Sequence, residues 1–286
     1  VDRQSHVGIQ FGGAEMALSL DDYSDRILQP AMSVMAADME AYAIMRATQT
    51  AQWQVGTPGT TPTAMLTYLA ARTKLNQALA PKDRDRNMLI SSNFSERIID
   101  SLKALAQDED EVSRQYREGS MGRMGGFDWA ESESMYTHVN GTATVAAQMN
   151  AAVTVDGTDQ ISLKGLGTTN TVTAGTVLEI TGRFDVHPET KAVRTTTKQF
   201  VVQETVAAVG GIATVTVAPK IYFAATGRQN ITTAPANNDV VTLLGAAAPA
   251  ANSAYECGLA YHKNAYTVAT ADLPLPSGGE GSRKQF

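Results

Sequence analysis

Residues 151–181, AAVTVDGTDQISLKGLGTTNTVTAGTVLEIT, set short runs of valine, isoleucine, leucine and threonine between turns that carry glycine. β-Branched residues fit a pleated surface. Asp156-Gly157, Gly165–Gly167 and Thr173-Ala174-Gly175 supply the turn chemistry between the runs. The same texture extends in both directions, from Asn140 to Ala250, a span that holds 21 threonines. It predicts strands at Ala151–Val155, Gln160–Leu163, Val177–Thr181, Lys198–Glu204, Ala213–Val217 and Val240–Leu244. Six short strands in about 100 residues favour a compact antiparallel barrel or sandwich over a parallel sheet.

Outward from this block the composition changes. Residues 1–139 carry 19 acidic and 13 basic groups, and residues 140–286 carry 10 of each, so the net charge of −6 belongs to the first half. That half is helical in pattern. Ser19-Leu20-Asp21-Asp22 offers a serine cap and acidic residues to a helix start, and Leu28, Met32, Met35, Met39 and Tyr42 follow at spacings of four and three. The methionine stripe is expected to be core rather than a binding surface, because methionine fills gaps in cores more often than it lines grooves. Pro30 should bend this helix or mark a late start. A second helix is expected over Thr63–Leu79, capped by Thr61 or Thr63, then a buried strand at Asn87–Ser91. A third helix follows over Ser95–Ala106, with Ile98, Ile99, Leu102 and Leu105 on one face. At 286 residues, two domains are the natural division.

Catalytic and cofactor chemistry find little support. Asp21/Asp22 suit a helix start, Asp83/Asp85 alternate with Arg84/Arg86, and Asp108–Glu111 is a solvated acidic run. The glycines of Gly119–Gly126 lack the lysine and hydroxyl of a phosphate loop. Cys257 is the sole cysteine and carries no nucleophile signature, which also removes any disulfide framework within the chain. His6, His138, His187 and His262 show no metal-ligand spacing, and His138 and His262 read as strand-end or interface residues. No metal or cofactor is expected. No apolar run has the roughly 18–20 residues of a membrane span, and the acidic balance argues against a nucleic-acid-binding domain. The expectation is a scaffold without enzymatic activity.

Three stretches carry a family resemblance. Ser19–Ala37, SLDDYSDRILQPAMSVMAA, is similar to the start of the spine helix of tailed-bacteriophage major capsid proteins, in the short-tailed-phage type that carries an inserted β domain. Glu111–Asn140, EVSRQYREGSMGRMGGFDWAESESMYTHVN, resembles that family's glycine-rich loop and following strand. Tyr261–Pro276, YHKNAYTVATADLPLP, resembles the strand returning from the insertion. The resemblance implies an α+β tailed-phage capsid fold with an inserted antiparallel β-barrel domain. Residues 1–55 would be the peripheral-domain strand and spine helix, 56–139 an axial-type domain, 140–257 the barrel and 258–286 the returning strand. It further implies a structural coat protein assembling with copies of itself into hexamers and pentamers of an icosahedral shell. The expected partners are a scaffolding protein, a portal protein and non-specifically packaged DNA, with assembly in the host cytoplasm and residence in the virion.

The family pattern also has an N-terminal arm and extended loop before Val1 and a final strand after Phe286. A trimmed polypeptide or a shorter relative would lack them, together with contacts they make between subunits. The candidate intersubunit contacts within the chain are the two-sign turn Asp83, Arg84, Asp85 and Arg86, for which a solvated turn is the plainer reading. Beside it stand Arg114, Arg117 and Arg123 around the glycines, and the loop from Asp185 to Lys191 with His187. A carbohydrate- or protein-binding adhesin or decoration-like protein is the alternative. It would show exposed aromatics on the barrel loops, where Phe184, Tyr222 and Phe223 are few and scattered.

Overall fold

The computed structural model of the protein describes residues 3–8, 24–102, 121–143, 147–225, 227–245 and 252–269. The chain divides into two compact units, Val1–Ala43 with Asn264–Phe286, and Ile44–Lys263. In the first unit the Arg3 guanidinium donates to Asp38 at 2.6 Å and lies 4.9 Å from the centre of the Tyr42 ring. Ser5 donates to the same carboxylate at 2.9 Å, and these bonds hold the Asp38 carboxyl below its usual range.

The long helix α1, Gln29–Thr50, follows one π-helical turn, Ser24–Leu28. Pro30 is its second residue, so the change from π to α spacing falls where the proline has no N–H to offer the preceding turn. The cap expected at Ser19–Asp22 lies outside the described residues. The methionine stripe is not core within the chain: Leu28, Met32 and Met39 are 39%, 44% and 48% exposed, and Val34 beside them 66%. Periodicity identified the apolar face but says nothing of whether a chain covers that face itself.

In the second unit α2, Met65–Gln77, begins after Ala64 with no side-chain cap, inside the expected limits. Strand β1, Arg86–Ile90, alternates buried and half-buried residues as a sheet strand should. Helix α3, Ser92–Leu102, starts three residues before the expected Ser95. Ser95 caps nothing there; its hydroxyl donates to Glu131. After α3 come β2, Arg123–Met124, and β3, Phe127–Glu131. They share a sheet with β1 and with β14, Leu259–His262, in the order β14-β1-β3-β2. β1 runs parallel to β3 and antiparallel to β14. Tyr68, Met88, Ile90, Phe94, Ile98, Met121 and Phe127 form the core between this sheet and the helices.

Between β3 and β14 the chain builds a closed barrel. Its strands are β5 (Ala147–Met149), β6 (Thr158–Lys164), β8 (Val177–Val186), β9 (Val193–Val202), β11 (Ile212–Ile221) and β12 (Val240–Leu243), in the order β11-β6-β5-β12-β8-β9. Every pairing around it is antiparallel. Met149, Leu163, Leu178, Ile180, Phe200, Val215, Ile221 and Val241 are fully buried in its interior. Each such side chain contributes about 1.5–3 kcal/mol. β7 (Thr171–Val172) and β10 (Val206–Ala207) pair with each other as a separate ribbon.

Three strand expectations need correction. Ala151–Val155 is no strand: Val155 is 66% exposed, and Val153 N–H bonds Pro235 O outside any ladder, so the strand lies earlier, at β5. β8 continues five residues past its expected end at Thr181, because Gly182, at φ 76°, forms a bulge within the strand. β9 starts five residues before Lys198, and its charged Arg194 is held in the strand by a paired carboxylate.

Candidate functional site

The charged turn leads into β1 and is largely tied down within the chain. Arg86 is 3% exposed and donates to Pro81 O at 2.7 Å, Ala80 O at 2.7 Å and Asn76 Oδ1 at 2.8 Å, so its guanidinium clasps the end of α2. That is a correction to its reading as a surface contact. Asp83 accepts from His262 Nε2, 3.1 Å from both carboxylate oxygens, and from the Asp85 backbone N–H. These bonds hold the Asp83 carboxyl below its usual range. Asp85 pairs with Lys263, whose ammonium pKa it raises. Arg84 is exposed, and its carbonyl accepts from Arg123 Nη1 at 3.0 Å. Arg123 also bonds Asp128 at 3.1 Å across the β2–β3 turn. Arg114 and Arg117 lie outside the described residues.

Asp83, Asp85 and His262 bring one potential ligand atom each within 4.8 Å of one another. These residue types hold divalent cations, but here the Lys263 ammonium already sits on Asp85, and Asp83 is taken up by the His262 ring and the Asp85 amide. The whole barrel lies between Asp83 and His262 in the sequence, which is why spacing gave no sign of the group.

In the barrel, Asp185 is a strand residue, not the loop residue expected. Its carboxylate accepts from Arg194 at 2.8 Å and Lys198 at 3.0 Å, and the three side chains are 13%, 16% and 8% exposed. Arg194 reaches on to Gln77 O, at 2.6 Å, at the end of α2. Lys198 stands 5.9 Å from the Trp53 ring centre, and Gln54 N–H donates to Gln199 Oε1 at 3.0 Å. β9 is therefore clamped by polar contacts onto the segment after α1 and onto α2. The tip of the β8–β9 hairpin remains exposed. There His187 Nδ1 accepts from the Glu189 and Thr190 amides at 3.2 and 3.1 Å, and Lys191 takes a left-handed φ of 58° and donates to Pro188 O.

The chain enters the barrel through β4, Thr137–Val139, and leaves it through β13, Ala254–Glu256, which pair antiparallel. His138, in the middle of β4, is 3% exposed. Its Nδ1 is 3.4 Å from the Tyr136 hydroxyl, which in turn accepts from Gln49 Nε2 at 3.1 Å. Its Nε2 is buried with no hydrogen-bond partner. Burial lowers the pKa of this imidazole below its usual value, pushes the Cys257 thiol up to about 11, and raises both Tyr136 and Tyr255. Asn140, the next buried residue, donates to Gly245 O. A strand-end reading of His138 missed its burial, which the flanking Thr137 and Val139 do not signal in the sequence.

Both sides of the barrel thus feed one sheet through one ribbon. Two solved structures similar to this chain are phage proteins. The CUS-3 coat protein I-domain is 22% identical, with a TM-score of 0.27, over 35% of this chain and 96% of that domain. A structure from Mycobacterium phage Che8 is 15% identical, with a TM-score of 0.34, over 70% of this chain. This chain spans 65% of the Che8 chain's length. No protein-family model and no curated protein matches the chain.

Proposed function

We propose that this chain is the structural subunit of a tailed-phage capsid, a coat protein without enzymatic activity. The observation that carries the reading is topological. Strands β1 and β3 before the barrel and β14 after it belong to one sheet, so the barrel is an insertion in a continuous α+β fold. That is the arrangement implied by the three coat-like stretches, which occur in the family's order. An exposed apolar stripe on α1 suits a protein whose helix is covered by other subunits.

In this reading, copies associate as hexamers and pentamers on a scaffolding protein, with a portal protein at one vertex, and enclose DNA held without sequence specificity. Assembly takes place in the host cytoplasm and the product is a virion shell. Many weak contacts suffice, because a closed shell repeats each of them. The exposed Arg84 and Arg123 and the His187–Lys191 hairpin tip are the described candidates for such contacts.

The test is negative-stain electron microscopy with light scattering of the complete gene product, expressed with its neighbouring scaffolding gene, beside the 286-residue chain. Closed shells tens of nanometres across, on the order expected of multivalent assembly, support the coat reading. A discrete small species at high concentration refutes it and turns attention to glycan binding by the barrel.

A further inference from the structure

The ribbon β4–β13 is the covalent route into and out of the barrel, and it is short: Ala254↔Val139, Tyr255↔His138 and Glu256↔Thr137 pair in it, and bonds from Asn140 N–H to Ser253 O and from Cys257 N–H to Tyr136 O, each 3.0 Å, close its two ends. A two-stranded ribbon this short is marginal by itself and depends on what its side chains pack against. The central pair is His138 and Tyr255, with ring centres 5.4 Å apart. Around the imidazole stand Tyr136 from the run into β4, Tyr255 from β13, Cys257 just beyond it, Gln49 from α1 and the Gly175 turn before β8. A Cβ on Gly175 would lie 3.4 Å from His138 Nδ1 and 3.1 Å from Gln49 Cγ, so the turn closes directly over the ring.

None of these neighbours offers a negative charge. Gln49 is neutral, and burial holds Tyr136, Tyr255 and Cys257 protonated through the neutral range. The nearest carboxylate along the ribbon, Glu256, is turned away: it accepts from Ser91 at 2.8 Å and from Asn93 at 3.1 Å. Among the described residues His138 Nε2 is the only buried side-chain nitrogen or oxygen without a partner. A second proton on this ring would therefore introduce a buried cation with no counter-charge and no solvent.

We propose that the β4–β13 ribbon is a proton-sensitive hinge between barrel and sheet, closed while the His138 ring is neutral and opened when the ring becomes an imidazolium. Opening exposes the ring to water, where its charge is solvated. The barrel, with its own closed ladder and core, stays folded as the ribbon parts. The inference is independent of the coat reading and holds for any role of the barrel.

The sign follows from linkage. The closed ring binds its proton less readily than an exposed imidazole of ordinary pKa 6.5. The closed state is thus fully favoured above that pH and loses ground as pH falls toward the depressed value. One linked proton changes the opening constant by about tenfold per pH unit within this window.

The experiment is amide hydrogen exchange on the full chain between about pH 7.5 and 5, a range that spans the ordinary imidazole pKa, corrected for intrinsic rates, with His138→Phe in parallel. In the wild type, protection of the amides of Thr137–Val139 and Ala254–Glu256 should be flat above the ordinary imidazole pKa of 6.5 and fall below it at about tenfold per unit, while those of β8, β9 and β11 keep theirs. His138→Phe should flatten the ribbon's dependence. A wild-type slope that survives in the variant, or barrel amides that open in step with the ribbon, overturns the hinge. If His138→Phe does not fold, NMR titration of the wild-type ring decides: a pKa at or above 6.5 refutes the proposal, and a lower value with acid-selective ribbon exchange sustains it.

Discussion

Asp185 accepts from two cations in the wall of the barrel, and all three side chains are largely withdrawn from water. Removing the carboxylate leaves Arg194 and Lys198 buried without a counter-ion. Asp185→Asn should therefore cost about 3–5 kcal/mol, read as a fall in the urea midpoint at constant m-value. The charges of these three residues are plain in the sequence, but their partnership is not. Asp185 stands beside His187-Pro188, which signals a turn, and only the continuation of β8 past Gly182 turns it inward. Arg86 has the same lesson: a charge-alternating run looked solvated, while its last member closes off the end of α2. His138 was equally hidden, because a lone histidine between threonine and valine carries no spacing pattern.

Local chemistry was legible at the scale of the element wherever periodicity and turn residues agreed. β1, α2 and the start of β8 fall close to their expected places. Helix starts were less legible, since the serines and threonines nearby bond across the fold and do not cap. Gly141 illustrates a constraint of the incoming segment after β4. A Cβ there would overlap the Thr171 carbonyl oxygen, so Gly141→Ala should destabilise the protein by about 1–3 kcal/mol, measured by thermal or urea denaturation. The stripe on α1 predicts the opposite behaviour. Met32→Ser with Met39→Ser should alter the stability of the isolated chain by no more than about 0.5 kcal/mol each, because both side chains are half exposed. In the coat reading the same pair lowers the yield of shells from the complete gene product, counted by electron microscopy.

On the scale of the whole molecule, the barrel and the sheet have separate hydrophobic interiors, Phe200 and its neighbours in one and Phe127 and its neighbours in the other. A closed ladder leaves no edge strand to be capped by the rest of the chain. A fragment spanning residues 140–253 should therefore unfold cooperatively by circular dichroism, at a lower temperature than in the intact protein because the β9 clamp is missing. A fragment without a cooperative transition would show that the clamp is needed for the barrel to fold. The switch from acidic helices to neutral, threonine-rich strands lies close to where β4 leads into the barrel. Their connection was not readable, since β14 joins β1 across the full length of the insertion and no local pattern links Leu259 to Leu89.

The pairing of Val139 with Ala254 places the two ends of the inserted segment on neighbouring strands, about 5 Å apart. Such a seam makes the barrel a removable cassette. Recombination could replace it with any module whose termini lie side by side, without rethreading the host sheet, so the two halves of the gene are free to diverge at different rates.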